Sequence, residues 1–289
     1  MNRANLQTWE SAVVWLRQQP EKQDLVRAAY FDESVLEAAI RFEGSEEWRE
    51  TLRILPRPGS ALDIGAGRGM ASYALQNAGW RVTALEPDPS QIVGAGAIEL
   101  LNQSASGNIV TVQEWGESLP FDDCTFDLIY CRQLLHHSRD LRRLCSEAFR
   151  VLRPGGRFLA VREHVVENYG ASLAAFLEQH PLHWLYGGEN AFTMNDYKAA
   201  IREAGFRKLH VIRPYGAVMN VSVSSMALQH ERYLLALESF CGTALTSPLR
   251  KCAFLRARVM ALGSVCLNLL SRAPGRLYSF SAMRAREGT

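Results

Sequence analysis

The sequence predicts an α/β protein, a doubly wound, mostly parallel sheet with N-terminal and C-terminal helical additions. Three observations carry this. Between residues 61 and 161 short apolar runs alternate with helical stretches. The runs are short and mostly apolar, as in strands covered by helices on both faces. A glycine-rich turn in "ALDIGAGRGMASYAL" (61–75) follows the first run and opens a helix. Such alternation implies right-handed crossovers and a ligand crevice beyond the carboxyl ends of the strands.

At 289 residues, 47% of them apolar, the chain can bury a large core and carry additions to it. Its net charge of +2 argues for neither a nucleic acid nor an acidic partner. That charge is uneven. From Arg250 onward eight basic residues face a single glutamate, and the part before is net negative. The N-terminal residues lack a basic start, an apolar core and a small-residue cleavage site, so a cytoplasmic location is expected. Six cysteines, at 124, 131, 145, 241, 252 and 266, include no Cys-x-x-Cys pair, which suits reduced thiols better than a disulfide or zinc framework.

Residues 1–55 read as a helical cap, with Val13, Val14, Leu16, then Leu25, Ala28, Ala29, then Val35, Ala38, Ala39 at helical spacing, interrupted by Pro20 and Gly44. "LPRPGS" (55–60) is a linker into a domain over 56–225. Its expected strands are 61–64, 81–85, 109–112, 126–131 and 156–161, with helices at 69–78 and 140–151, the latter stopped by "RPGG". The pattern then loosens into an inserted segment over about 162–192. A clear helix follows, with Thr193 as N-cap, Asp196 at the third position, Tyr197, Ala200 and Ile201 on one face and Gly205 as stop. Residues 208–212 and 217–221 are expected to pair as a closing antiparallel hairpin, and 226–289 to form a basic helical extension.

Gly65, Gly67 and Gly69 bring backbone close to a ligand, although a structural turn would also use glycine. Their GxGxG spacing departs from the dinucleotide fingerprint, and Asp63 would set a negative charge beside a pyrophosphate. A phosphate-free, cationic nucleoside such as S-adenosylmethionine is helped by that carboxylate. Glu86, at the end of the next strand, can accept both hydroxyls of a ribose.

In these residues the segment resembles the class I S-adenosylmethionine-dependent methyltransferases, especially the branch similar to the ubiquinone and menaquinone biosynthesis C-methyltransferases. The resemblance spans roughly 55–206 and rests on "LDIGAGRG", "VTALEPDPS", "GESLPFDDCTFDLIYCRQLLHH" and "LRPGGRFL", in the family's order and spacing. It implies a Rossmann-like, seven-stranded sheet that binds S-adenosylmethionine and leaves S-adenosylhomocysteine. Asp63, Gly65, Ala66 and Gly67 would line the methionine half and Glu86 would hold the ribose. Trp115, Gly116 and Glu117 would face the adenine, and Cys131, ending the fourth strand, completes the expected cofactor set. Relatives commonly carry Asp-Ala-Glu where this chain has Trp115, Gly116 and Glu117, so adenine recognition here leans on the Gly116 backbone and on Glu114 or the Trp115 indole. Core filling is the other reading of Trp115.

Methyl transfer needs alignment, exclusion of water and, for a hydroxyl or amine, removal of a proton; it requires no metal. The catalytic candidates are His136, in the loop after the fourth strand, and His164, in "REH" after the fifth. Arg132 could hold the methionine carboxylate or a substrate acid. "HPLHWLYGGEN" (180–190) offers histidines and aromatics for a small organic acceptor. His180 and His183 have a metal-ligand spacing but no third ligand nearby in sequence, so no metal is assigned. The stripe Leu255, Val259, Leu262, Cys266 and Leu269, beside Arg250, Lys251, Arg256 and Arg258, is expected to pack on the protein, with a peripheral membrane contact or self-association as alternatives. Two rival functions stand: an NAD(P)-dependent oxidoreductase, disfavoured by the spacing and Asp63, and a non-catalytic interaction protein, which has no need of Asp63 or Glu86. Nothing marks a nucleic-acid acceptor.

Overall fold

Four short helices precede the sheet in the computed structural model, which describes residues 8–32, 34–180, 183–215, 217–221, 231, 234–235, 237–239 and 242–286. They are α1 (Trp9–Arg17), α2 (Gln23–Ala28), α3 (Val35–Glu43) and α4 (Glu46–Ile54). Three begin at a hydroxyl cap: Thr8, Ser34 and Ser45 accept the amides of Ser11, Glu37 and Trp48. Two breaks fall at Pro20 and Gly44, as expected, and a third lies between Ala28 and Val35.

The sheet then forms from β1 (Ser60–Ile64), β2 (Arg81–Leu85), β3 (Val110–Val112), β4 (Phe126–Arg132) and β5 (Leu152–Val166), joined through α5 (Met70–Asn77), α6 (Ala95–Ala105) and α7 (Leu141–Val151). Beyond β5 come α8 (Ala171–Gln179), α9 (His183–Tyr186), β6 (Phe192–Thr193), α10 (Met194–Glu203), β7 (Arg207–Ile212) and β8 (Arg276–Met283). The order is β3-β2-β1-β4-β5-β8-β7, with β6 beside β5. Strands β1 to β5 run parallel, and β8 is antiparallel to both β5 and β7. Strand order reverses at β1 and β4, so their carboxyl ends frame the crevice. Two apolar layers cover the sheet, one including Phe42, Trp48, Trp80 and Tyr130, the other Phe158, Tyr197, Phe206 and Phe280.

Three expectations change. The sheet has eight strands rather than seven, because the two-residue β6 adds itself to β5. The expected hairpin is absent: Val218–Asn220 is a 3-10 turn, and β7 pairs with β8 from the far end of the chain. The region after 226 is therefore helical at Thr243–Lys251 and Ala253–Leu270 but strand at Arg276–Met283; its first residues, 226–230, and Cys241 lie outside the described residues. The stripe on Ala253–Leu270 does not pack as expected either. Leu255, Leu262, Cys266 and Leu269 are exposed, while Met260 and Val259 anchor the helix against Leu234 and Leu249. Among the described residues no helix is long and apolar enough to cross a membrane.

A bulge in β5 shapes the site. Opposite β8, Ala160 pairs with Phe280 and Glu163 with Tyr278, so β5 carries one extra residue there, and Arg162 takes φ +63°. Bulges of this kind re-aim side chains. Here the consequence is a glutamate turned into the protein interior.

Candidate functional site

The turn after β1 is held by backbone bonds. The amides of Gly65 and Ala66 both donate to the Leu85 carbonyl, at 2.8 and 3.1 Å. Gly65 has φ +68°, and a Cβ there would lie 2.4 Å from Leu134 Cδ1, so both conformation and space require glycine. Gly67 also has positive φ, and its amide donates to Glu86 Oε2 at 2.7 Å; the Asp88 amide donates to Oε1 at 3.0 Å. Asp63, buried at the end of β1, accepts the Ser72 hydroxyl at 2.6 Å. Burial pushes the Asp63 carboxyl up to about 7, against the Ser72 bond and helped by the nearby Glu86 charge. Burial likewise pushes Glu86 up to about 7, against the amide bonds of Asp88 and Gly67.

These groups open on one cavity of about 460 Å³, whose wall also includes Trp9, Tyr30 and Phe31 of the N-terminal cap. The cap is pinned over it. Arg68, next to Gly67, donates to the carbonyls of Tyr30 and Asp32, and the Trp9 and Tyr186 rings meet at 4.8 Å.

Opposite the glycine turn lies a face of imidazoles. His136 Nδ1 bonds Glu163 Oε2 at 2.7 Å, and the amides of His136 and Leu134 donate to the same carboxylate at 3.1 Å each. His164 Nδ1 bonds the Gly275 carbonyl at 2.8 Å, and His137 Nδ1 the Gly188 carbonyl at 3.3 Å. The His136 ring stands 4.2 Å from that of His137 and 4.9 Å from that of His164. Burial, with the positive character of His137, drives His136 well below the ordinary imidazole value, and burial brings His164 down to about 3. Both rings are neutral near pH 7. Glu189 sits beside them and accepts the Tyr186 hydroxyl at 2.8 Å; burial would raise its pKa, but His137, His180 and His136 with that bond hold it below the ordinary value.

Most residues expected from the sequence converge here: Asp63, Gly65, Ala66, Gly67, Glu86, Trp115, Gly116, Glu117, His136 and His164 all line the cavity. Trp115 is not core filling. It is 52% exposed with the Arg139 guanidinium 4.7 Å over its ring. Glu117 turns its carboxylate to the Arg139 amide at 2.9 Å. Cys131 is corrected: it is fully buried in the core beneath the sheet and is absent from the cavity wall. Arg132 lines the cavity, with its guanidinium engaged by Glu47 of α4 at 2.6 and 3.0 Å. His183 does not line the cavity. Sequence reasoning missed Glu163, Glu189 and Glu47.

Fold and site together define a class: a doubly wound sheet of the kind found in S-adenosylmethionine-dependent methyltransferases, with an acid-flanked glycine turn at the switch point. Residues 62–160 match the methyltransferase domain family. Over 115 residues it is 36% identical to an uncharacterized methyltransferase, YcgJ, of Bacillus subtilis, covering 37% of this chain and 42% of that one. Over 115 residues it is 33% identical to the ubiquinone/menaquinone biosynthesis C-methyltransferase UbiE of Brucella anthropi, covering 38% and 43%. The matched stretch thus spans less than half the length of these relatives. A phosphoethanolamine N-methyltransferase 2 of Haemonchus contortus, solved with S-adenosyl-L-methionine, shares the fold at TM-score 0.53 and 18% identity, over 95% of this chain and 60% of that one. A possible histamine N-methyltransferase of Thermotoga maritima does so at TM-score 0.51 and 14% identity, over 94% and 98%.

Proposed function

We propose that the protein transfers a methyl group from S-adenosylmethionine to a small organic acceptor. The observation that carries this is the pair of buried carboxylates, Asp63 and Glu86, flanking a positive-φ glycine turn. Neither has an ion pair among the described residues, and burial holds both up to about 7. A ligand bearing an ammonium and a sulfonium brings positive charge to carboxylates that have no ion-pair partner among those residues, and a ribose brings two hydroxyl donors to Glu86. Asp63, Gly65, Ala66 and Gly67 would hold the methionine part; Trp115, Gly116 and Glu117 would border the adenine. The bound cofactor supplies an electrophilic methyl group with its leaving group already attached.

The rest falls to the chain. The N-terminal cap excludes water, and the imidazole face receives the acceptor. His136 presents a neutral ring whose Nδ1 is fixed by Glu163, which orients Nε2 toward an acceptor hydroxyl or amine and favours the imidazolium that accepting its proton creates. His164 flanks the same space as a hydrogen-bond acceptor.

Calorimetry with S-adenosylhomocysteine tests the reading. Glu86→Ala is expected to weaken binding by about 1–3 kcal/mol, the loss of a charge-assisted hydrogen bond; tight NADH binding with none of S-adenosylhomocysteine would reverse the choice of function. Affinity is also expected to depend on pH. The free protein holds protons on Asp63 and Glu86 that the bound ionised carboxylates must release, so affinity rises as pH passes upward through about 7 and levels off above it. A flat profile from pH 6 to 8 would mean that neither group changes protonation on binding.

The exposed residues Phe254, Leu262, Val265 and Leu269, beside Arg258, also support contact of the C-terminal helix with an anionic membrane surface. Co-sedimentation with phosphatidylglycerol vesicles is expected at low salt and lost at high salt; no binding at low salt would end this idea.

A further inference from the structure

We propose that His136, His137 and Glu189 form a site for one first-row divalent transition-metal ion at the acceptor end of the cavity. One ligand atom from each lies within 4.8 Å of the other two. Ligands about 2.1 Å from a tetrahedral ion stand about 3.4 Å apart, so a small inward rotation of the side chains completes the set.

The hydrogen bonds behind these groups are those of oriented ligands. His136 has its Nδ1 on Glu163 Oε2 at 2.7 Å, and His137 has its Nδ1 on the Gly188 carbonyl at 3.3 Å. An oxygen on one ring nitrogen fixes the tautomer and leaves Nε2 as a free lone pair facing the ion, as in carboxylate–histidine–metal arrangements. Glu189 is placed in the same way: Tyr186 donates to Oε1, while Oε2 lies 3.8 Å from His137 Nε2. A separate observation agrees. The buried Nδ1 of His180 has no hydrogen bond and lies 3.7 Å from Glu189 Oε1, so a further imidazole nitrogen borders the same carboxylate.

Two imidazoles and one carboxylate suit Zn²⁺, Fe²⁺, Co²⁺ or Mn²⁺, whereas Ca²⁺ and Mg²⁺ prefer oxygen alone. Sequence spacing singles out His180 with His183; the fold assembles a different set, because the loop after β4 meets the segment after α9 only in three dimensions. Three protein ligands leave a position open to the cavity, where an acceptor oxygen or nitrogen would be polarised and its proton released to solvent; because the ion takes Nε2 of His136, this would replace proton removal by that ring rather than accompany it. That use rests on the acceptor reading above, but binding of the ion does not.

The test is titration of the chelator-treated full chain with Co²⁺, followed by visible absorption, and then competition with Zn²⁺. One equivalent is expected to give ligand-field bands that Zn²⁺ abolishes, and each of Glu189→Gln and His137→Ala is expected to weaken the ion at least tenfold. His210→Ala, an exposed residue on β7, should leave the titration unchanged. S-adenosylhomocysteine binding, measured on every variant, reports that the fold and the cofactor half are intact. Absence of a saturable one-to-one Co²⁺ spectrum in the wild type would overturn the site, as would spectra identical in wild type and both ligand variants. Either result would leave the methyl-transfer reading standing if S-adenosylhomocysteine still binds.

Discussion

Glu47→Ala is expected to lower the free energy of unfolding by about 3–5 kcal/mol, the cost of stranding buried cations. Glu47 lies on α4, outside the sheet, yet its carboxylate faces Arg132 of β4 at 2.6 Å and Arg162 of β5 at 3.3 Å. Glu47 and Arg162 are buried and Arg132 is mostly so. Burial alone would push the Glu47 carboxyl up; the two guanidiniums more than offset this and hold it below its ordinary value. The sign follows from linkage. A carboxylate with a depressed folded pKa contributes stability that is present above its unfolded pKa and is lost as pH falls through the folded one. Urea denaturation of the wild type should therefore show this contribution intact near pH 7 and eroding in acid, with the variant keeping only the shallower acid dependence of the remaining carboxylates. A loss under 1 kcal/mol would mean that water reaches both arginines once Glu47 is gone.

Glu163→Gln is expected to reduce turnover by about 10²-fold or more with S-adenosylhomocysteine affinity little changed. Glu163 is completely buried and accepts three donors at once, two loop amides and the His136 ring. An amide of the same shape keeps one acceptor oxygen but turns a donor toward at least one of those groups, so His136 loses either its tautomer or its position. Steady-state kinetics separates this from simple loosening: the fall should appear in kcat, whereas a defect in cofactor placement would appear in KM for S-adenosylmethionine. Turnover within threefold of wild type would remove Glu163 from the machinery.

Much of this architecture could be read from the chain, and what could not has a common cause. The glycine turn, Asp63, Glu86 and the Thr193 cap are local: each depends on neighbours within a few positions, and each stands where its pattern put it. Glu163 and Glu189 depend on partners in other elements. A signal existed for both, three polar residues together in an apolar strand at 162–164, and an acid just past the Gly187–Gly188 bend; neither says which way the side chain turns. For Glu163 the bulge at Arg162 decides it, and a bulge has no reliable signature in one sequence. Glu47 reads as one more surface acid on an amphipathic helix, and only the docking of α4 gives it two arginines. Cys131 failed for a related reason: the last residues of β4 alternate faces, and Cys131 faces the core while Arg132 faces the cap. In β8, the run "RLYSFSAM" after Pro274–Gly275 did carry strand chemistry, but the helical stretch before it masked the change of period.

The place of that last strand has a consequence for how the protein comes into being. Because β8 lies between β5 and β7, those two strands never touch, and neither can complete its ladder until a segment made some sixty residues after β7 has left the ribosome and threaded back. Through that interval the growing polypeptide presents the bare edge of β5 and an unattached β7, a sticky intermediate that pairs readily with other chains. Synthesis rate and chaperone supply should therefore govern the soluble yield of this protein more strongly than its final stability does.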